Sequence, residues 1–501
     1  TVDLSHHLFY QRLITDRCTL ADAVQTFVKV LSDNHITTGE ALTFEAESVA
    51  SDPDQVDHYY GALAVKRLLE SSSPQQIADY VNLAHKEALA RRISILIHDD
   101  AVDLHLVEEA LQEFAELPVG ESQVSANIAI GIRVRLVSIL ISDNLFYIGV
   151  AKNYITMRDV AALTNRYIGK YGQRSRIGGK SAGMILANRI LLPGFGEPSG
   201  FEDAVEEVES YYVTARVFNH FIEHNRLEEG HGLKYLEVEE RDRFHDDLAR
   251  RFLRGVFPKE VRVQLEEVLQ KLGDGPLIVR SSSLLEDNMG FPFYGKYDSV
   301  FIANQGSPDD RLEELLGAIK QVYVSILASS VIEYRKDKSL LDYDDVMCVL
   351  IQRVVGNRHG DYFFPEVAGV AFSRNQYRWS PRIRAEDGVA RIVYGLGTRA
   401  VDRSGDDYPR LVALSHPDLR PEGTRAEKIK YSQRYVDVLN LQTRQVESVH
   451  FIDLFAAIRT GDPGSQTLYT PERGLGCRRR RVVRSPVLSG HSGIRERGHH
   501  L

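Results

Sequence analysis

The sequence predicts a mixed helix-and-strand chain, α+β or α/β, behind a mainly α-helical N-terminal region, and three observations carry that expectation. From residue 19 to about 168, apolar residues recur mainly at helical spacing. After residue 170, short β-type runs such as 276–280 and 345–355 alternate with helical segments such as 311–334. A chain of 501 residues with 43% hydrophobic and 26% charged residues has globular composition. Its length suits about two to four domains, each able to bury its own core.

The helical region opens with Thr19 and Asp22 in capping-box spacing, ahead of Val24, Phe27, Val28 and Leu31 on one face. Its most apolar stretch, 128–150, is interrupted by Arg133, Arg135 and Asp143. Such charges are costly at a bilayer centre, so a buried helix is expected rather than a membrane span. The polar positions of this region, His6 and His7 among them, have no catalytic spacing. Further on, the charged stretch 238–272 reads as a solvated helical insertion. From Gly474 onward the chain runs through Cys477 and Arg478 to Arg481 into a mixture of Gly, Ser, Arg and His, which predicts a disordered tail over 474–501.

A formal net charge of −9 argues against a dedicated nucleic-acid binder, so any anion site must be local. Cys18, Cys348 and Cys477 lie far apart, with neither metal-ligand nor disulfide-framework spacing, and a reducing cytoplasm fits them. No basic segment followed by an apolar run opens the sequence, so no secretion signal is expected.

Two constellations carry chemistry. The first is Ile177, Gly178, Gly179, Lys180, Ser181, Ala182, Gly183, followed by helical periodicity through Met184, Leu186, Ala187 and Ile190. Glycines ahead of a helix let backbone N–H groups approach an anion, the helix dipole favours negative charge there, and a lysine adds a point charge. The spacing is not that of a Walker motif, and a glycine turn capping a surface helix is the plainer alternative. The second is Leu277 to Arg280, then Ser281, Ser282, Ser283, Glu286 and Asp287, then Gly290, Gly295 and Ser299. An arginine leaving a strand into a hydroxyl-rich loop offers forked donors to polyphosphate oxygens. Serines and acids also suit a helix cap, with Arg280 paired to Glu286 or Asp287.

With both constellations in hand, the chain resembles the nucleotide-binding domain of the pyruvate phosphate dikinase and phosphoenolpyruvate synthase family. The run VRSSSLLEDNMGFPFYGKYDS is similar to that family's arginine-bearing signature, and IGGKSAGMILANRIL to its opening glycine-lysine motif. SYYVTARVFNHFIEHNRL, VMCVLIQRVV, AGVAFSRN and YGLGTRAV resemble further landmarks in the same order, so the likeness covers roughly residues 170 to 415. It implies an α+β, ATP-grasp-like domain over 169–460, with subdomains at about 169–343 and 344–460, behind a helical domain over 1–168.

Carried over position by position, the resemblance implies that Lys180 and Arg280 contact ATP phosphates as the catalytic cations, beside Gly178 and Gly179. Gly295 and Ser299 would line the loop over the phosphates, Gln352 would sit at the nucleotide hinge, and Arg410 near a distal contact. Each residue type suits its role: cations offset polyphosphate charge, a glycine permits close approach, and an amide pairs with adenine or ribose.

One departure bears on magnesium. The family usually has a glutamate after Gly-Leu-Gly, whereas Thr398 follows Gly397 here, and Lys296 stands at a common glutamine position. Asp402, Asp406 or Asp407 are the candidate magnesium ligands in its place.

The resembled enzymes pass phosphoryl from ATP to a histidine on a swivelling domain and on to a barrel that makes phosphoenolpyruvate. No convincing histidine segment or barrel repeat is legible here, and LSGHSG around His491 is too short. The expectation is therefore a dikinase-like ATP-dependent phosphotransferase of the cytoplasm. Its partners would be ATP, Mg2+, a phosphohistidine carrier, and pyruvate or another acceptor, with no nucleic acid and no membrane. Two alternatives stand beside it: a rifampicin-type small-molecule phosphotransferase, and a non-catalytic ATP-binding regulatory or scaffold protein.

Overall fold

A computed structural model describes residues 74–99, 102–117, 124–169, 175–192, 205–286, 295–401 and 407–461. The expected cap at Thr19 and Asp22, the residues Asp287 and Gly290, and the Arg-rich tail lie outside these.

The described chain begins with helices, as the apolar periodicity predicts. Helix α1 (Pro74–His98) packs against α2 (Leu104–Glu116), which buries Leu104, Val107, Leu111 and Phe114 along one face. The apolar stretch 128–150 is buried for much of its length but is not one helix. It forms α3 (Ala126–Leu136), a wider π-helical turn (Val137–Ile141) and, after a break, α4 (Leu145–Ala151). Asn144 makes the break by capping α4, its side chain accepting from the Tyr147 N–H at 3.1 Å. The two arginines of that stretch spend their charge on backbone carbonyls, Arg133 on Lys152 at 3.2 Å and Arg135 on Ile97 at 2.9 Å. Helix α5 (Met157–Thr164) completes the layer behind a capping box of Thr156 and Asp159. No single helix among the described residues is long and apolar enough to cross a membrane.

Five strands then build the first sheet: β1 (Tyr167–Ile168), β2 (Ser210–Val213), β3 (Leu277–Ser283), β4 (Ser299–Ile302) and β5 (Met347–Arg353). Their order is β1-β2-β5-β3-β4, with β1 and β2 parallel and the other neighbours antiparallel. Side chains alternate between the two faces. On one face Tyr212 and Leu350 enter the core of the helical layer, together with Ile177, Ala182 and Ile185 around α6 (Gly179–Leu191). Secondary structure changes from helix to strand near the expected boundary at 168, but packing continues across it, because Tyr212 and Leu350 need apolar cover.

On the opposite face Tyr211, Val213, Leu277, Val279, Val349 and Ile351 form a second core. It is covered by α7 (Ala215–Asn225), α8 (Val238–Arg254), α9 (Lys259–Leu272), α10 (Pro308–Val324) and α11 (Ser329–Asp337). The expectation of a solvated insertion over 238–272 is corrected here. Helices α8 and α9 are amphipathic: their charges face water while Leu248, Phe252, Val261, Leu265 and Leu269 are buried in the core. Phe252→Ala is accordingly expected to cost about 3–5 kcal/mol in urea unfolding. A detachable solvated helix would lose less than about 0.5 kcal/mol.

Beyond Arg353 the chain leaves the first sheet. Strands β6 (Asn357–His359) and β7 (Tyr362–Phe364) precede β8 (Ala368–Phe372), β9 (Val389–Val393), the short helix α12 (Thr398–Val401) and β10 (Arg410–Ala413). The helix α13 (Arg425–Lys430), β11 (Tyr435–Asn440), β12 (Gln445–His450) and α14 (Phe451–Gly461) follow. These strands form two antiparallel sheets, β10-β9-β8 and β12-β11-β7-β6, with a small core of Phe364, Val436, Val438 and Leu454. The change of sheet thus falls after Arg353 rather than at 343/344, since β5 is the middle strand of the first sheet. The reason is burial: the run from Met347 to Gln352 is buried throughout, which only a central strand allows.

Candidate functional site

The face carrying Tyr212 and Leu350 is apolar toward β1 and turns polar toward β3 and β4. In the ladders Arg280 stands opposite Leu350 on one side and Ser299 on the other, while Gln352 stands opposite Ser210 and Ile278. Arg280 and Gln352 are therefore diagonal neighbours on one face. The Arg280 guanidinium donates to Gln352 Oε1 at 3.3 Å. Gln352 Nε2 donates to Ser210 Oγ at 2.9 Å and lies 3.3 Å from Met184 Sδ. Gln352 is also the next-to-last residue of β5, where the chain passes to the second part of the fold.

The N-terminus of α6 meets the end of β3. Gly178, the N-cap, has φ 81, and a Cβ there would lie 1.6 Å from the Ser282 carbonyl oxygen, so glycine is required on both counts. Ser282 Oγ donates to the Ile177 carbonyl at 2.8 Å and accepts from the Ser181 N–H at 3.0 Å, locking strand to helix. Lys180 reaches the same corner, its Nζ 3.1 Å from Ser281 Oγ and 2.9 Å from Glu286 Oε1. Glu286 closes the turn after β3. Its N–H donates to Ser283 Oγ at 3.1 Å, and its Oε2 accepts from the Ser283 N–H at 3.2 Å, the reciprocal pattern of a capping box. The serine and the acid thus close a turn, with no helix following it among the described residues, and the Glu286 carboxylate reaches Lys180 from within that turn.

Gly295 has φ 64, and a Cβ there would meet nothing within 4 Å. Two residues on, the buried Tyr297 hydroxyl donates to the Asp345 carboxylate. Burial pushes the Tyr297 hydroxyl well above its ordinary range and raises the Asp345 carboxyl as well. Ser299 lies exposed at the start of β4. A cavity of about 50 Å3 opens on the opposite face, among Phe218, Phe252, Leu327, Arg335 and Asp345; it has room for water, not for a nucleotide.

Arg410 is not gathered with these groups by the first sheet. It begins β10 in a different sheet, exposed and opposite Ile392. Asp402 and Asp406 lie outside the described residues. Asp407, the candidate magnesium ligand, is buried and hydrogen-bonded through both carboxylate oxygens. Its oxygens accept from Arg399 at 3.0 Å and from the N–H groups of Arg434 at 2.7 Å, Tyr435 at 3.1 Å and Tyr408 at 3.0 Å. The Thr398 hydroxyl donates to Asp437 of β11, whose carboxylate also accepts from Arg399 Nε at 2.8 Å and from Ser448. Gly395, with φ 95 and its Cα packed on the Asp437 carbonyl, admits β11 this close. Among the described residues no group of three His, Cys, Asp or Glu side chains is placed to hold a metal ion.

Sequence reasoning missed four participants: Glu286 as partner of Lys180, Met184 and Ser210 around Gln352, and Arg399 between two carboxylates. Met184 was findable, since it lies one helical turn beyond Lys180 on the same face. The others depend on strands distant in sequence.

A glycine-led helix N-terminus carrying a lysine is set against a strand end that bears an arginine and hydroxyls, residue types whose donors suit an oxyanion such as a phosphate. Residues 174–451 match the family model of the AMP/ATP-binding domain of pyruvate phosphate dikinase, more than half of the 501-residue chain. The chain belongs to that family and carries, over those residues, an ATP-binding domain of the pyruvate phosphate dikinase and phosphoenolpyruvate synthase type. No curated protein matches it.

Proposed function

We propose that this chain is the ATP-binding part of a dikinase-like phosphotransferase with an ATP-grasp arrangement, passing phosphoryl from ATP to a histidine carrier outside it. The observation that supports this reading is that α6, which brings Lys180 to within 3.1 Å of Ser281 Oγ, packs on the strand whose Arg280 donates to Gln352. ATP phosphates would lie at the α6 N-terminus, beside Gly178 and Gly179, with Lys180 and Arg280 offsetting their charge and Gly295 and Ser299 flanking them. Arg280 would exchange Gln352 for a phosphate oxygen, freeing the Gln352 carbonyl oxygen to accept from adenine or ribose. Arg410 would make a distal contact if the second part of the fold closes on the nucleotide.

Phosphoryl transfer depends on positioning and charge neutralisation more than on covalent help from protein. Magnesium, when bound, would supply part of that neutralisation. Asp407 and Asp437 do not fit as its ligands, because Arg399 and their other donors already occupy them. The reading therefore rests on the two cations.

A second reading, an ATP-binding regulatory protein, draws on the closed network of Thr398, Arg399 and Asp437 where the family has a glutamate. Calorimetric titration with ATP, with and without magnesium, tests both. It is followed by incubation with a histidine-carrier domain and assay for acid-labile phosphohistidine. Binding with phosphohistidine formation supports the phosphotransferase, and binding without transfer or ATP consumption favours the regulatory reading. No binding by the folded chain sinks both.

A further inference from the structure

We propose that Glu286 is the positioning residue for Lys180, holding its ammonium group where a phosphate can meet it; this rests on the ATP reading of the site. Two independent features argue for it. The ion pair is short and sheltered, 2.9 Å between Lys180 Nζ and Glu286 Oε1, with the Glu286 side chain 7% exposed and that of Lys180 22% exposed. The carboxylate is itself fixed: Ser281 Oγ donates to Oε1 at 3.3 Å and the Ser283 N–H to Oε2 at 3.2 Å. A lysine side chain that is unrestrained loses considerable rotamer entropy when it is immobilised on a ligand. Here the loss is incurred on folding, because a rigid turn holds the acceptor, and the outer side of Lys180 stays accessible.

The turn separates this role from a merely local one. Glutamine also closes a capping box, using its single carbonyl oxygen on the Ser283 N–H. In Glu286→Gln the amide nitrogen would then face Lys180, so the cap survives while the ammonium loses its charged acceptor and keeps only Ser281 Oγ. The position thus offers a substitution that removes the charged partner of Lys180 and leaves the turn after β3 in place.

The experiment is calorimetry of the full chain and of Glu286→Gln, Lys180→Ala and the double variant, each titrated with ATP and with adenosine after circular dichroism confirms folding. Glu286→Gln is expected to weaken ATP binding about tenfold, the scale of one charge-assisted contact, and to leave adenosine binding unchanged. Acting through Lys180, it should add nothing to the loss in Lys180→Ala. Unchanged or tighter ATP binding in Glu286→Gln, equal loss for adenosine, or additive losses in the double variant would overturn the proposal. If the parent chain binds no ATP, the ATP reading itself has failed, and the positioning role falls with it.

Discussion

Alanine at Lys180 or at Arg280 is expected to weaken ATP binding about tenfold to a hundredfold, each measured by calorimetry on a variant that unfolds at a temperature close to the parent's. The range follows from losing one hydrogen-bonded contact to a charged group, about 1.5–3 kcal/mol. The two substitutions differ in what they leave behind. Lys180→Ala removes an ammonium from beside Glu286 in a sheltered setting, although Ser281 Oγ and the Ser283 N–H still donate to the carboxylate, so a modest stability loss should accompany it. Arg280→Ala releases Gln352, which keeps Ser210 as a partner. Unaltered affinity in both variants would remove the phosphates from this corner of the sheet.

Gly178→Ala is expected to destabilise the fold by about 3 kcal/mol or more, read from urea unfolding. An L-residue at φ 81 is strained, and its Cβ would stand 1.6 Å from the Ser282 carbonyl oxygen. Neither helix α6 nor strand β3 can retreat without breaking the bonds between Ser181, Ser282 and Ile177. Gly183 in the same helix is the natural control. A methyl group added there would meet nothing within 4 Å, and the site is an exposed helical one, so Gly183→Ala should stabilise by about 0.5–1 kcal/mol. Equal effects at the two positions would show that the contact between α6 and β3 is not what Gly178 serves.

Much of the site was legible in the sequence because its chemistry sits in short continuous runs. The glycines before Lys180 announced a helix N-terminus, and the apolar strand ending in Arg280 and three serines announced a donor-rich loop. What these runs left open was which cation Glu286 would meet, because Lys180 arrives on a helix more than one hundred residues upstream, as the separation of 101 between Lys180 and Ser281 illustrates. The charged stretch 238–272 misled for a related reason: its polar residues outnumber its apolar ones, yet the few apolar ones share a face and find the sheet.

By itself the sequence determined the helical N-terminal layer, the mixed fold that follows, the two cation-bearing motifs and the family to which they belong. These rest on local periodicity and on residue types that act wherever the backbone places them. Tertiary structure alone decided that β5 lies at the middle of the first sheet, that the helical layer shares a core with that sheet, and that Asp407 is bound to Arg399 rather than left for a cation. Strand order and ion pairing depend on which distant segments bury one another, and burial is a property of the folded whole.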